Sequence, residues 1–197
     1  MKYDLAIIGF GVIGVESLHT ITEKITKSKQ FNIAIIEKDL KNIPGGVAYS
    51  KLSSKFGFFN NPLRLSHPSF KSWVNNKKNI HKIIYFINRN PNYRLKNWLS
   101  INIKDLLKNK IPGEIYFPRL IYSFYLEDKI LQNLRTQDKK KIKISFFKAN
   151  VGKIKFEKKD LILKTKTYFK VFNINTKKNL INIKKIDQKV KFLKCKK

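Results

Sequence analysis

The sequence predicts an α/β protein with a parallel sheet and a small antiparallel β-meander. Residues 2–36 show two short apolar runs separated by a helical pattern, which is typical of parallel strands joined by a helix. From Lys141 onward, apolar residues recur at every second position, as in strands with one solvent face. The chain has 197 residues, 42% of them hydrophobic, which is enough for one well-buried domain.

The N-terminal segment predicts a strand, a helix and a second strand. Residues 2–8 form a nearly continuous apolar run, which favours a strand covered on both faces. Val15, Leu18 and Ile21 then fall at helical spacing, and residues 31–36 form a second apolar run. Together they have the size of a βαβ unit.

The rest of the chain shows weaker patterns. After the break at Pro44-Gly45-Gly46 we expect a loop, a short helix, a segment ambiguous between strand and helix, a further helix and a longer helix. In that order, these segments are residues 47–68, 69–74, 80–87, 103–107 and 118–136. The meander covers residues 141–174, and the lysine-rich residues 175–197 are expected to be loosely ordered.

The net charge of +30 is compatible with a polyanionic partner. Only five of the 43 basic residues are arginine, and Lys, Asn, Ile, Phe and Tyr are abundant together, so A/T-rich codon usage explains the bias. This composition argues against a nucleic-acid partner, because arginine is the usual base reader. No apolar run has the length of a membrane span, so we expect no membrane partner and a cytoplasmic location.

Two further classes of chemistry lack support in the sequence. The single cysteine, Cys195, lies in the lysine-rich tail and is interpreted as an incidental thiol. His19, His67 and His81 are scattered without paired spacing, so no metal site is expected.

The predicted first strand leads into Gly9-Phe10-Gly11-Val12-Ile13-Gly14. In a dinucleotide-binding turn the first glycine permits the tight turn, the second leaves room for a pyrophosphate, and the third lets helix and strand pack closely. The helix N-terminus offers unpaired amides and a positive dipole end to the phosphates. Glu37 follows Gly14 by 23 residues, close to the spacing of the acid that binds a ribose.

A carboxylate at this place accepts hydrogen bonds from ribose hydroxyls and repels a 2′-phosphate. The pattern therefore predicts FAD or NAD(H) rather than NADP at this site. The predicted contacts are Gly9, Phe10, Gly11, Val12, Ile13, Gly14, Glu37 and Lys38. The alternative is a glycine-rich turn in an unrelated α/β domain, with Glu37 as a solvated strand end.

Four later segments occur in a recognisable order, and with the glycine turn they resemble the FAD/NAD(P)-binding protein family of two-dinucleotide flavoproteins. The resemblance covers about residues 1–135, with serine at position 123 where the family has glycine. The segments are Gly45-Gly46-Val47-Ala48-Tyr49-Ser50, Phe58-Phe59-Asn60-Asn61-Pro62, Phe70-Lys71-Ser72-Trp73-Val74 and Phe117-Pro118-Arg119-Leu120-Ile121-Tyr122.

The resemblance implies a Rossmann-like fold whose glycine turn holds FAD. It places Tyr49 and Asn60 on the flavin side and makes Arg119 a further candidate that fixes its helix or faces an anion. Three alternatives stay open: Tyr49 is simply packed, Asn60 caps a turn, and Arg119 pairs with Glu127 or Asp128.

The resemblance further implies an oxidoreductase-like function, the N-terminal part of an NAD(P)H-dependent flavoprotein of monooxygenase type. Residues 1–174 would be an incomplete FAD/NAD(P)-binding domain, because no second glycine turn for a nicotinamide nucleotide follows Gly14. NAD(P)H would then act as reductant only if a second site is supplied, for instance by a second chain. The alternatives are a non-catalytic, truncated nucleotide-binding module and, with less support, a lysine-rich nucleic-acid binder.

Overall fold

The structure, a computed structural model, describes residues 2–25, 30–50, 57–108, 111–157, 160–175 and 182–196. Within these ranges only the backbone is described at residues 2, 136–140, 156–157, 160–161, 164–175 and 182–196. The fold is α/β, as predicted, and it divides into two compact units. The first comprises residues 1–47 and 126–197, and the second comprises residues 48–125.

The first unit begins with the predicted βαβ segment. The strands β1 (Lys2–Tyr3) and β2 (Leu5–Ile8) are followed by helix α1 (Val12–Lys24) and strand β3 (Phe31–Glu37). β2 and β3 pair in parallel, with Leu5 opposite Ile33. Parallel pairing needs a crossover, and α1 provides it.

The strand at residues 142–148, which the sequence predicts as part of an antiparallel meander, pairs antiparallel on one side but also joins the parallel sheet on the other. This strand, β4 (Ile142–Lys148), pairs in parallel with β3, with Ile33 opposite Ile144. The long helix α6 (Arg119–Lys140) directly precedes β4, and a helix before a strand is the usual connection into a parallel sheet. The first unit therefore contains three adjacent parallel strands.

Antiparallel strands extend this sheet beyond β4. β6 (Asp160–Asn175) pairs antiparallel with β4, with β5 (Val151–Glu157) and with β7 (Asn182–Lys196). β7 also pairs in parallel with β1. The structure differs from the loosely ordered tail that we expect from the sequence, because residues 182–196 form a strand. Backbone groups make this pairing, and they need no apolar pattern in the sequence.

Apolar packing covers the parallel strands of the first unit. Residues 33–36 of β3 are all buried, and their side chains alternate between the two faces of the sheet. One face packs as a single cluster in which the rings of Tyr3 and Phe147 meet edge to face with centroids 5.6 Å apart. The buried members of this cluster are Tyr3, Ala34, Ile36, Phe147, Ala149 and Leu163.

The second unit is mainly helical. It contains α2 (Gly46–Tyr49, from its third residue), α3 (Pro68–Val74), α4 (Lys77–Arg89), α5 (Tyr93–Leu107) and the first turns of α6. The ambiguous segment at residues 80–87 is part of α4, and the helix predicted at residues 103–107 is the last part of α5. Side chains cap three of these helices: His67 before α3, Asn76 before α4 and Asn92 before α5.

We expect Phe147→Ala to lower the free energy of unfolding by about 3–5 kcal/mol, because it removes a fully buried ring from the cluster on the sheet face. Lys148→Ala is the matched control: the next residue of β4 is exposed, and its truncation should change stability by less than about 0.5 kcal/mol. Denaturant unfolding measures both variants. Equal effects of the two substitutions would contradict the packing described here.

Candidate functional site

The glycine turn lies between β2 and α1, where the sequence predicts it. Gly9 has a φ of +84°, a conformation that side chains with a Cβ rarely adopt. A Cβ built on Gly14 would overlap the carbonyl oxygen of Gly9, whereas one built on Gly9 meets nothing within 4 Å. Gly14 therefore permits close packing of helix on strand end, and the turn leaves open space beside Gly9.

At the N-terminus of α1, backbone groups rather than a capping side chain lie beside this turn. Gly11 is the residue that precedes the helix, and it supplies no capping side chain. The first amides of a helix have no partner within the helix, and here they belong to Val12, Ile13 and Gly14. The first turn of α1 carries no acidic residue. The positive end of the helix dipole is therefore available to an anion.

Glu37 ends β3 beside the same turn, and its carboxylate is tied to the main chain. One carboxylate oxygen accepts a hydrogen bond from the amide of Phe10 at 2.7 Å, and the other accepts one from the amide of Asp39 at 3.1 Å. The residue is half-buried. Each carboxylate oxygen has a second lone pair, so Glu37 can accept further hydrogen bonds while it holds the turn.

A second glycine pair packs against the turn, and our site prediction from the sequence missed it. Gly45 forms a parallel bridge with Gly11, and a Cβ on Gly46 would lie 3.1 Å from the Cα of Gly11. Gly45 and Gly46 both have positive φ, at 101° and 64°. The one sequence signal for this contact is the double glycine after Pro44, whose role only the tertiary structure shows.

The remaining predicted contacts of the first unit lie around the turn. Phe10 is fully buried, and its ring packs edge to face on Phe146 with centroids 5.6 Å apart. Ile13 is 83% exposed at the start of α1, and Lys38 is exposed directly after Glu37. Phe10 therefore anchors the turn from inside, while Ile13 and Lys38 stand on its outer side.

The predicted residues of the second unit also lie together. Arg119 donates to the carbonyl oxygen of Phe58 at 2.9 Å and to the side-chain oxygen of Asn60 at 3.0 Å. Its guanidinium carbon lies 5.8 Å from the ring centroid of Tyr49, which also packs against the ring of Tyr122 at 5.2 Å. Arg119 is thus held by Tyr49, Phe58 and Asn60.

The described residues show neither a metal cluster nor a membrane span. Within the ranges that the structure describes, no group of three His, Cys, Asp or Glu side chains lies close enough to hold a metal ion. No helix in this part of the chain combines the length and the apolar character needed to cross a bilayer.

The fold and the turn define a dinucleotide-binding domain of Rossmann-like type. The comparison with family models agrees, since the FAD-NAD(P)-binding model matches residues 6–171. The chain belongs to the FAD-NAD(P)-binding family, and it is a domain that takes a flavin or nicotinamide dinucleotide. A search of curated proteins finds no match.

We expect Gly14→Ala to lower the free energy of unfolding by about 2–3 kcal/mol, because the new methyl group overlaps the main chain of Gly9. Gly11→Ala is the matched control in the same turn. Its Cβ makes only ordinary contacts, the nearest at 3.8 Å from Gly46, so its cost should stay below about 1 kcal/mol. Thermal and denaturant unfolding compare the two variants, and a larger loss for Gly11→Ala would contradict the geometry.

We expect Arg119→Lys to destabilise the second unit by about 1–2 kcal/mol, because an ammonium group does not reproduce the two hydrogen bonds to Phe58 and Asn60. Arg94→Lys, at an exposed position of α5, should leave stability unchanged. Limited proteolysis and denaturant unfolding report the effect. Unchanged stability of Arg119→Lys would mean that these hydrogen bonds contribute nothing in solution.

Proposed function

We propose that the chain binds FAD at the turn between β2 and α1 and acts as the FAD-binding part of an NAD(P)H-dependent flavoprotein of monooxygenase type. The observation that carries the FAD site is the meeting of an uncapped helix N-terminus with the Glu37 carboxylate at one turn. Both groups contact the turn main chain directly, through the Gly11 position and the Phe10 amide.

The residues present fit the diphosphate and ribose of such a ligand. The amides at the start of α1 supply donors for phosphate oxygens, and the missing Cβ at Gly9 and Gly11 lets an anion approach the main chain. Glu37 keeps lone pairs for ribose hydroxyls while two amides fix its orientation. When bound, FAD supplies hydride-accepting and oxygen-activating chemistry; the residues of the turn bind and orient it.

The choice of ligand follows from the charge at the end of β3. Glu37 is followed within two residues by Asp39, whose side chain accepts from the amide of Lys41 at 3.1 Å. Two carboxylates here disfavour a ribose 2′-phosphate by electrostatic repulsion, since like charges at a few Å cost free energy. Lys38 is exposed and adds one opposing charge. The balance supports FAD or NAD(H) over NADP at this turn.

A second chain that completes the flavoprotein is part of the proposal. Among the described strands, β2 pairs only with β3 and ends the path of the sheet. An apolar strand of a parallel sheet is usually paired on both sides, so the free edge of Leu5–Ile8 supports an additional strand from another polypeptide. Such a partner would also have to supply the nicotinamide nucleotide site and the site for the substrate, which is expected to be an amine or another small molecule.

The second candidate function is a nucleotide-binding module without turnover. The same turn supports it, because Glu37 and the α1 amides recognise the ADP portion that FAD and NAD(H) share. The two candidates differ in what they predict for the purified protein: the FAD-binding part of a flavoprotein prefers FAD over ADP, whereas the module binds both ligands alike. NAD(P)H oxidation above that of free FAD is expected only when the partner chain is supplied.

We expect purified protein to bind FAD saturably, and Glu37→Gln to weaken FAD and NAD binding about 10- to 100-fold, because charge-assisted hydrogen bonds to the ribose are lost. In the same variant the affinities for NAD and NADP should become more similar, because the carboxylate that repels the 2′-phosphate of NADP is gone. Isothermal titration with FAD, ADP, NAD and NADP measures each affinity.

Glu23→Gln is the matched control for this experiment. Glu23 lies in α1 and its side chain is 65% exposed, away from the turn, so its substitution should leave every affinity unchanged. Absence of saturable binding for all four ligands would overturn the proposed site. Equal affinities for FAD and ADP would favour the module.

A further inference from the structure

The helix α5 carries large apolar side chains on its solvent side. Tyr93 is 75% exposed, Ile101 is 69% exposed and Leu107 is 59% exposed. At 3.6 residues per turn, these three positions and three lysines fall within an arc of about 140°. This surface, named here the outer face of α5, comprises Tyr93, Lys96, Ile101, Lys104, Leu107 and the C-capping Lys108, together with the exposed polar residues Asn97 and Ser100, which fall in the same arc.

The opposite side of α5 is already packed inside the second unit. Leu95, Trp98, Leu99 and Leu106 are buried there, and the indole nitrogen of Trp98 donates to the carbonyl oxygen of Tyr116 at 2.9 Å. A surface helix normally presents polar residues to solvent once its apolar stripe is buried. Ile101 and Leu107 depart from that pattern, and exposed apolar side chains on one face mark an interaction surface.

The charge of this region is mainly positive. Lys96, Lys104 and Lys108 are exposed among the apolar residues, and the one acid of α5, Asp105, is half-buried at the margin of the outer face. The neighbouring helix α4 contains no acidic residue. Its exposed basic side chains are Lys77, Lys78, His81, Lys82 and Arg89. The partner that complements this surface is therefore anionic.

The mixture of groups distinguishes between two anionic partners. Phosphate contacts of a nucleic acid use cations and hydrogen-bond donors, and they leave Ile101 and Leu107 without a role. An anionic bilayer surface uses both kinds of group, since apolar side chains enter the boundary of the acyl chains while lysines remain at the headgroups. We propose that the outer face of α5 docks the protein peripherally on an anionic phospholipid surface.

This docking does not rest on the dinucleotide site. It revises the expectation from the sequence that the chain has no membrane partner, and it requires no helix that spans the bilayer. The exposed apolar and basic groups of one amphipathic helix give reversible binding whose strength depends on the anionic lipid content.

The test is co-sedimentation of the full chain with two kinds of vesicle, one of phosphatidylcholine alone and one with a quarter of the lipid as phosphatidylglycerol. We expect binding to the anionic vesicles only. The triple variant Lys96→Gln, Lys104→Gln, Lys108→Gln should bind about 100-fold more weakly. The double variant Ile101→Ser, Leu107→Ser, which keeps every charge, should lose at least about tenfold.

Matched controls separate docking from the general attraction of a basic protein. Lys143→Gln, Lys148→Gln and Lys153→Gln remove the same charge from exposed strand positions, and Ile154→Ser removes an apolar side chain that is 47% exposed. Neither control should weaken binding more than about twofold. Circular dichroism checks that each variant is folded.

Three outcomes would overturn the proposal. One is full binding by the Ile101→Ser, Leu107→Ser variant, which would leave only diffuse electrostatics. Another is an equal loss from the triple lysine control in β4 and β5. The third is salt-dependent binding to a DNA duplex that depends on Lys96, Lys104 and Lys108 while vesicle binding does not, which would make nucleic acid the partner of this face.

Discussion

The close approach of main chain to main chain at the turn between β2 and α1 is the constraint on which the first unit depends. Gly14 can stand against the carbonyl of Gly9 only without a Cβ, and Gly46 stands almost as close to Gly11. This contact sets where α1 begins relative to the end of β3. Because Glu37 ends that strand, the same contact brings the carboxylate within hydrogen-bond reach of the Phe10 amide. The glycine contacts that pack the first unit and the carboxylate proposed to bind the ligand therefore lie at the same turn.

Local patterns predict the βαβ segment and the helices with strong periodicity, because neighbouring residues decide them. The direction of β4 could not be predicted in this way. A buried-exposed alternation such as that of Ile142–Lys148 is the same in parallel and antiparallel strands, and only the α6 crossover distinguishes them. The start of α5 had a local signal, since Asn92 accepts from the amides of Arg94 and Leu95, but polar surface residues hide the helical period there.

In the candidate site, too, local sequence patterns predict some features, and others arise only from contacts between distant parts of the chain. The meeting of residues 9–14 and Glu37 at one turn was predictable, because the spacing of glycines and acid is typical of a turn that binds a diphosphate and a ribose. The packing of Gly45 and Gly46 on that turn was not, since it joins positions more than 30 residues apart through backbone atoms alone. In the second unit, the hydrogen bonds of Arg119 to the carbonyl oxygen of Phe58 and the side-chain oxygen of Asn60 join positions 61 and 59 residues apart, and no local pattern predicts them.

Whether the net charge of +30 indicates a binding partner depends on where the lysines lie, and not on their number alone. Codon bias adds lysine wherever a side chain is free to reach solvent, so it explains exposed lysines on both units and needs no partner. It also adds isoleucine, but the free-energy cost of exposed apolar surface directs isoleucine into cores, as at Ile33 and Ile35. An exposed pair such as Ile101 and Leu107 between lysines runs against that tendency. The net charge of this chain therefore does not by itself indicate a partner. Lysines indicate an interaction surface only where exposed apolar side chains lie beside them.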